Sequence, residues 1–194
     1  MSVALGRREQ NRRSRRQALI ASARTLCEQR GFEGVTVEEI AQAAGVSKRT
    51  FFRYFASKED VVFPEHEQRL ERFGDLVRMR MAGEPPVAAV QRAFVALGSQ
   101  MMADRDEVVA LQRIVDDSPA LLAADRLRDR QWDAVVAVAL AGQDQPTLDH
   151  RIAAGAVMGA LRATLRVWFD GGGEDDLVAM GLRAFAALDA GFGG

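Results

Sequence analysis

The stretch Val46–Asp60, VSKRTFFRYFASKED, holds four aromatic and four cationic side chains in fifteen residues. The whole chain of 194 residues has 13 aromatic side chains, and this stretch contains its single tyrosine and both of its lysines. A buried core explains the aromatic rings but not the cations between them. The pattern therefore predicts a short helix with one apolar face and one basic face.

A helical wheel separates the two kinds of side chain. At about 100° per residue, Phe51 and Phe55 share one face and Phe52 lies on its flank. The other face is polar, with an aromatic residue at its border, and consists of Arg49, Thr50, Arg53 and Tyr54. Guanidinium groups on such a face can enter a major groove, where the planar Arg fork matches guanine O6 and N7.

Signals for two further helices precede this stretch. Gly31 is a typical left-handed stop for a first helix that begins near Asn11. Thr36-Val-Glu-Glu39 has the spacing of a capping box and opens a short second helix that ends at Gly45. Ser47 then caps the third helix. Two short helices joined by a glycine turn, the second one basic, indicate a helix-turn-helix.

Downstream, the chain has the pattern of longer helices separated by Gly and Pro. We expect helices over about 57–81, 86–103, 106–116, 119–141, 146–169 and 174–190. The predicted fold class is all-α with about nine helices. The predicted segments are a flexible basic arm at 1–10, a helix-turn-helix domain at 11–56 and a larger helical domain at 57–194.

Charge is distributed unevenly along the chain. Residues 1–60 contain 12 Lys and Arg against 7 Asp and Glu, whereas residues 61–194 contain 14 against 20. A basic first third on an acidic remainder is typical of a protein that binds a polyanion at one end. Chance clustering on a solvated face is the alternative. An architectural protein that coats DNA would be basic throughout, so the acidic remainder argues against that class.

Composition favours a soluble, cytoplasmic protein. The chain is 48% hydrophobic and 27% charged, as globular domains are. The single cysteine, Cys27, excludes an internal disulfide and suits a reducing compartment. No uninterrupted apolar run reaches the roughly 18 residues of a membrane span, and the N-terminus lacks the apolar stretch of a signal peptide. We therefore expect no contact with a membrane.

Residues typical of catalysis are sparse. His66 and His150 are the only histidines, and neither has the spacing of a metal site or a catalytic triad. Gly171-Gly-Gly173 lacks the Lys and Ser or Thr of a phosphate-binding loop. We therefore expect no catalytic residue, no metal and no cofactor, and a helical enzyme is only a distant alternative.

Residues 12–60 resemble the N-terminal DNA-binding domain of the TetR family of bacterial transcriptional regulators. The resemblance rests on the order and spacing of Arg30-Gly-Phe32, Thr36-Val-Glu-Glu-Ile-Ala41, Ala44-Gly-Val-Ser-Lys48, Thr50-Phe-Phe-Arg-Tyr-Phe55 and Ser57-Lys-Glu-Asp60. The remainder of the chain resembles the family only in length and number of helices.

The resemblance implies roles in DNA binding for matching positions. The implied contacts with the DNA backbone come from Thr36, Ser47, Arg53, Tyr54 and Lys58. Those with base edges come from Lys48, Arg49 and Thr50. Phe52 stands where many relatives have Tyr, which implies an apolar contact instead of a hydrogen bond to phosphate. Arg49 stands where relatives often have a small residue, which implies an added base contact.

The basic lead-in to the first helix has two interpretations. Arg7-Arg8 and the cluster at 12–16 are either a solvated start of this helix or an arm that contacts the neighbouring minor groove. In both cases the affinity for DNA should fall with salt, with a log–log slope of about −0.9 per neutralised phosphate.

The resemblance further implies a homodimer on a palindromic operator of double-stranded DNA. A single helix-turn-helix makes few contacts, so such modules generally bind as dimers. The predicted interface lies on the last two helices and consists of Gly155, Gly159, Leu161, Leu165, Leu177, Met180 and Phe185. The alternative is that these residues are buried within one subunit.

The resemblance also implies repression that is relieved by a small, largely apolar ligand of unknown identity. The predicted pocket lies among the middle helices and consists of Phe94, Leu97, Met101, Met102, Leu111, Ile114, Trp132, Val136, Met158 and Trp168. The same residues could instead form the core of a helical bundle. A ligand-independent regulator and an activator are the alternative functions.

Overall fold

The structure is a computed structural model that describes residues 2–79, 83–142 and 144–191, with side chains from Gln10 onward. Within these residues the chain forms ten α-helices and no strand, which confirms the predicted all-α fold. The helices are α1 Ser2–Arg30, α2 Val37–Ala43, α3 Lys48–Tyr54, α4 Lys58–Val62, α5 His66–Arg78, α6 Pro86–Ala103, α7 Arg105–Asp116, α8 Pro119–Ala141, α9 Leu148–Asp170 and α10 Leu177–Asp189.

Two predicted helices differ from the observed ones by more than a few residues. The helix expected over 57–81 is divided into α4 and α5, because Pro64 has no backbone N–H and disfavours helical geometry at the preceding residue. Phe63 accordingly leaves the helix, with φ −111° and ψ 56°. The helix α1 begins at Ser2, nine residues before the predicted start, and so includes most of the segment 1–10, whose flexibility stays a prediction. The side chains of Arg7 and Arg8 lie outside the described residues.

The chain divides into two compact units. The first comprises Met1–Pro64 together with Arg113–Ala124, and the second comprises Glu65–Gln112 together with Asp125–Gly194. The first unit therefore extends beyond the predicted domain at 11–56. It also includes the corner between α7 and α8.

The first unit is built around the helix-turn-helix. The helix α1 packs against α2 and α4, and α2 packs against α3. The apolar stripe predicted for α1 is buried at Leu19, Ala23 and Cys27. Burial raises the pKa of the Cys27 thiol, so this side chain fills space in the core and is not an activated nucleophile.

Local signals in the sequence shape the turn between α2 and α3. Gly45 has φ +67°, a conformation that is costly for residues with a Cβ atom. The Gly45 N–H donates to Gln42 O at 3.0 Å, and the Val46 N–H donates to Ala41 O at 2.9 Å. These two bonds form a Schellman motif, which ends α2 and directs the chain into α3.

A capping box starts α2, as the sequence predicted. The Thr36 N–H and the Thr36 hydroxyl each donate to Glu39 Oε2 at 2.8 Å, and the Glu39 N–H donates to Thr36 Oγ1 at 3.3 Å. The Arg30 guanidinium donates to Glu39 Oε1 at 2.8 Å. The Thr36 backbone N–H, followed by the Thr36 hydroxyl and Arg30, lowers the pKa of Glu39 from its ordinary 4.5 to about 2.

The second unit contains two apolar clusters. The larger one, which we call the aromatic cluster, joins α5, α6, α8, α9 and α10. At its centre the Phe73 ring lies 4.9 Å from the Phe94 ring and 5.5 Å from the Trp132 ring, and Phe94 lies 6.4 Å from Phe185. Such spacings are favourable for aromatic pairs, so these four rings join α5, α6, α8 and α10.

The smaller cluster surrounds Trp168, which is fully buried. Its indole Nε1–H donates to Asp175 O at 2.9 Å, in the turn between α9 and α10. Gly173 in this turn has φ +74°, and a Cβ atom there would lie 2.9 Å from Val109 Cγ2. The turn therefore requires glycine at position 173 both for its backbone conformation and for its contact with α7.

The lowered pKa of Glu39 predicts a specific acid sensitivity. Because the folded pKa lies below the unfolded one, the Glu39 carboxylate stabilises the fold fully above about pH 4.5, and this contribution is lost as the pH falls towards 2. Replacing Glu39 by Gln removes the charge, so the variant should lose less stability than the wild type between pH 5 and 2. Thermal unfolding by circular dichroism measures this difference. Glu71→Gln, an exposed change on α5, is the control, and equal acid losses in the wild type and Glu39→Gln would contradict the expectation.

Candidate nucleic-acid interface

The helix α3 has the two faces that its sequence predicts. Phe51 is fully buried and Phe55 is nearly so. The Phe51 ring lies 5.6 Å from the Phe55 ring and meets the Phe52 ring edge-to-face at 5.4 Å. The Phe52 ring remains 47% exposed, so it is accessible to a nucleic acid. Arg49 and Arg53 are exposed on the other side.

The two arginines of α3 remain available for binding. Arg49 makes no hydrogen bond or ion pair with the residues that the structure describes. The Arg53 guanidinium lies over the ring of Tyr54 at 5.3 Å, a cation–π contact that orients its side chain. Free guanidinium groups on an exposed helix face suit phosphate oxygens and the acceptor edge of guanine.

The hydroxyl groups predicted to contact the backbone of DNA cap helices in this structure. Ser47 Oγ accepts from the Thr50 N–H at 3.2 Å and lies 3.0 Å from Thr50 Oγ1. The Thr36 hydroxyl proton is donated to Glu39. A phosphate that took a hydrogen bond from Thr36 would therefore displace Glu39 from that proton.

Lys48 and Lys58 both have partners within the protein. Lys48 forms an ion pair with Glu38 on α2, and the bond from Lys48 lowers the pKa of the Glu38 carboxyl. The Lys58 ammonium donates to Phe32 O at 2.7 Å and to Val35 O at 2.8 Å, and it lies 3.9 Å from the Phe32 ring. Lys58, predicted to hold a phosphate, thus joins the start of α4 to the turn between α1 and α2.

A contact with the α7–α8 corner holds the same turn from another side. Ser118, a buried residue, donates its hydroxyl to Glu33 Oε1 at 2.6 Å and accepts from the Leu121 N–H at 3.2 Å. The Ser118 hydroxyl is the main cause of a lowered pKa at Glu33. Sequence reasoning missed this contact because its partners are 85 residues apart and a serine before a proline indicates a helix break and not a distant contact.

The basic lead-in divides between structural and exposed residues. Arg16 donates to Pro64 O, and its guanidinium lies over the Phe55 ring at 5.4 Å. Arg12, Arg13 and Arg15 are exposed. Arg16 therefore stabilises the packing of α1 against the α4–α5 turn, while the other three remain candidates for contact with DNA.

The residues predicted to line one pocket lie in separate places. The aromatic cluster includes Phe94, Leu97, Trp132, Val136 and Met158, whereas the Trp168 cluster includes Met101, Met102 and Trp168 itself. Ile114 is buried in the first unit, and Leu111 is half-buried on α7. An open surface depression of about 460 Å³ is lined by residues 102–107 and includes only Met102 of the predicted set. The ten residues thus include members of two separate clusters and, at Ile114, of the first unit, and the pocket stays a prediction.

Three residues of the predicted dimer interface are buried in the core of their own subunit, and two more pack against that core. Leu161 and Phe185 are buried in the aromatic cluster, and Leu177 is buried in the Trp168 cluster, against which Leu165 and Met180 pack. These five side chains pack within their own subunit, and their contact with a second subunit stays a prediction. Gly155 is half-buried and Gly159 is exposed, with open space where a Cβ atom would be at both positions.

Known proteins are similar to both parts of the chain. The sequence profile "Bacterial regulatory proteins, tetR family" matches residues 19–63, and the profile "MftR C-terminal domain" matches residues 84–193. The HTH-type transcriptional regulator TcmR of Streptomyces glaucescens is 32% identical over 195 residues, covering 95% of this chain and 86% of TcmR. EthR of Mycolicibacterium smegmatis is 29% identical over 149 residues, covering 66% of this chain and 68% of EthR.

Solved structures share the fold at low sequence identity. The SmeT–triclosan complex superposes with a TM-score of 0.68 at 17% identity and covers 91% of this chain and 90% of SmeT. Thermus thermophilus FadR in complex with lauroyl-CoA superposes with a TM-score of 0.60 at 22% identity and covers 89% of this chain and 92% of FadR. With a relative 32% identical across nearly its whole length, this chain belongs to the TetR family of bacterial transcriptional regulators, and it is a helix-turn-helix transcriptional regulator.

Proposed function

We propose that the chain acts as a homodimer that binds a palindromic operator, represses transcription and is released by a small, largely apolar ligand. The observation that carries the DNA-binding part is the division of α3, which buries Phe51 and leaves Arg49 and Arg53 exposed. Arg49 would read a base edge, because its guanidinium has no partner among the described residues. Arg53, oriented by Tyr54, would hold a phosphate.

The remaining contacts with DNA would be mostly to its backbone. The half-buried Thr50 hydroxyl and the exposed ring of Phe52 lie on α3, where they would approach bases or sugars. Thr36 and Ser47 stand immediately before α2 and α3, and helix N-termini favour phosphate groups. The main role of Lys58 would be to position α4, since its ammonium group donates hydrogen bonds to two carbonyl oxygens.

An exposed apolar face on α9 supports the dimer. The helix is long and apolar enough to cross a membrane by length and composition alone, yet only 22% of its most apolar window is buried. One face packs into the core through Ala154, Met158 and Trp168. The opposite face exposes apolar or small side chains at regular helical spacing: Ile152, Ala156, Gly159, Ala163 and Val167.

A second copy of the chain would cover this face. Gly159 has no side chain, and the side chains of Ala156 and Ala163 are small. Another helix can therefore approach this face closely. Leu182 on α10 is also exposed and would extend the contact. This arrangement keeps Gly159 of the interface predicted from the sequence and centres the contact on α9, because the larger residues of that list pack within the subunit.

The aromatic cluster is the best candidate for the ligand site. It is apolar, and its member Trp132 is only half-buried, so the cluster borders the surface there. His66 lies against the Trp132 ring at 6.4 Å and bonds Gln131, so polar groups stand at its edge, as in many ligand sites. Two solved neighbours hold triclosan and lauroyl-CoA, which supports a ligand of apolar character.

We also propose that the protein is cytoplasmic and has no catalytic activity, because the family to which it belongs consists of transcriptional regulators. Among residues 10–79, 83–142 and 144–191, no three His, Cys, Asp or Glu side chains are grouped as a metal site would require. A ligand-independent regulator or an activator would share the same DNA interface. The ligand and transcription tests distinguish these outcomes from ligand-released repression.

Removing the guanidinium groups should weaken binding to DNA. Arg49→Ala should lower operator affinity by about 1–3 kcal/mol and relax the preference at one base pair, whereas Arg53→Ala should weaken all sequences and reduce the salt slope by about 1. Fluorescence anisotropy with labelled duplexes at several salt concentrations measures both effects. Arg130→Ala, an exposed change on α8, is the matched control. Unchanged operator binding by a folded Arg49→Ala, Arg53→Ala double variant would refute the interface.

A charged side chain at the centre of the α9 face should prevent dimer formation. Beyond its chain neighbours and the nearby backbone of α9, Gly159→Arg meets no atom of its own subunit within 4 Å of the new Cβ, so the fold should be retained. An unpaired guanidinium buried between two subunits costs about 3–5 kcal/mol, so sedimentation velocity should show a monomer with weak operator binding. Ala134→Arg, on an exposed position of α8, should remain a dimer. A dimeric Gly159→Arg would exclude this face.

An apolar ligand should change the fluorescence of Trp132 and release DNA. Triclosan and lauroyl-CoA are the first probes, and we expect release of at least about 10-fold in affinity, equivalent to about 1.4 kcal/mol of coupling. Trp132→Phe should lose the fluorescence change, because the remaining Trp168 is fully buried. If a broad panel of apolar compounds leaves operator binding unaltered, the regulator is ligand-independent.

A further inference from the structure

An acidic side chain lies on the surface that the proposed DNA contacts occupy. Glu38, the second residue of α2, pairs with Lys48, the first residue of α3, and the two side chains are 58% and 54% exposed. The Lys48 ammonium also lies 6.0 Å from the ring of Phe52. Lys48 precedes Arg49 directly, so the pair stands beside the residue that we expect to read a base.

The fold does not depend on this pair. The turn between α2 and α3 is closed by the backbone bonds of Gly45 and Val46, and the helices are held by the buried side chains of Ile40, Ala41 and Phe51. An exposed ion pair between long side chains adds little stability. Its main consequence is electrostatic, because the Glu38 carboxylate cancels one positive charge on the DNA-facing surface.

We propose that Glu38 is a specificity-determining residue that withholds Lys48 from DNA of arbitrary sequence. This inference rests on the proposed DNA-binding function. Binding without sequence preference consists almost wholly of contacts between cations and phosphates. A lysine that stays paired with Glu38 makes no such contact, so non-operator DNA is bound through one cation fewer per subunit.

On the operator the pair is exchanged for DNA. Base contacts by Arg49 hold α3 in the major groove, which brings Lys48 within reach of base edges and neighbouring phosphates. A weak, exposed ion pair can be broken when many other contacts hold the helix in place. The loosely held complex on non-operator DNA lacks those contacts, and there the pair persists. Glu38 thereby lowers the affinity for competing DNA more than the affinity for the operator.

The test compares two duplexes and four variants of the full-length chain. The operator comes from selection out of a random DNA pool, and the second duplex is its scrambled sequence of equal length. The variants are Glu38→Gln, Lys48→Gln, the double substitution, and Glu71→Gln, which removes one negative charge from an exposed site on α5. Affinities are measured by anisotropy between low and physiological salt, and circular dichroism checks the fold of each variant.

Glu38→Gln should steepen the salt slope on scrambled DNA by about 0.9 for each subunit bound and leave the slope on the operator unchanged. Its affinity for scrambled DNA should rise by roughly 3- to 10-fold at low salt, so that the ratio between the two duplexes falls. In the Lys48→Gln background, Glu38→Gln should no longer change the slope on scrambled DNA. Glu71→Gln should change neither slope.

Several results would overturn the inference. Equal steepening on both duplexes, or on neither, would show that Glu38 does not act selectively. A loss of operator affinity in Glu38→Gln with scrambled DNA unaffected would show that the carboxylate itself contacts a base, such as a cytosine N4 amine. If Glu71→Gln changed the salt slope on scrambled DNA as much as Glu38→Gln does, the effect would come from the net charge of the protein and not from the position of Glu38. If the folded wild type selects no sequence and binds no duplex, the proposed function fails instead.

Discussion

The burial of Phe51 and Phe55 is the constraint on which the proposed DNA-binding surface of α3 depends. The helix α3 has only seven residues, too few to be stable alone, so its rotation about its own axis is set by which side chains it buries. With those two rings inward, Arg49 and Arg53 must face outward. The Ser47 cap and the turn at Gly45 fix where the helix begins. They therefore also set the position of each arginine along the helix axis.

Much of the positive charge in the first unit serves the fold. Lys58 donates hydrogen bonds to carbonyl oxygens of the α1–α2 turn, and Arg30 donates to Glu39 of the capping box. Arg16 joins α1 to the α4–α5 turn through a hydrogen bond to Pro64 O. Glu33 reaches from the α1–α2 turn to Ser118. Each of these groups sets the position of α2 or α4 before any DNA is present. The charge that remains for binding is therefore smaller than the sequence count suggests, and it lies on α3 and on the exposed arginines of α1.

The parts of the molecule that could be predicted from sequence are those that local physics determines. The capping box at Thr36, the glycine turn and the two faces of α3 depend on residues within one or two helical turns. The break at Pro64 has an equally local cause, which the prediction of a continuous helix over 57–81 did not take into account. The partners of Lys58 and Ser118 could not be predicted, because those contacts join segments 23 to 85 residues apart.

The helices α9 and α10 show why the pocket and the interface were harder to assign. Apolar residues occur on both sides of α9, so the sequence does not reveal that Leu161 faces the core while Val167 faces out. Only the packing of neighbouring helices separates the two sides. Large and small apolar residues occur on both faces, with Ala154 buried and Ile152 exposed, so apolar area alone does not distinguish the faces.

Selection of bound sequences from a random DNA pool by the purified protein is the most direct test of the central claim. If α3 presents its arginines to the major groove from each subunit of a dimer, the selected DNA should be an inverted repeat. Its half-sites should be centred about 10 base pairs apart or a multiple of that spacing, with a guanine at the position that Arg49 reaches. Recovery of no common sequence by the folded protein, or of one without two-fold symmetry, would contradict the account.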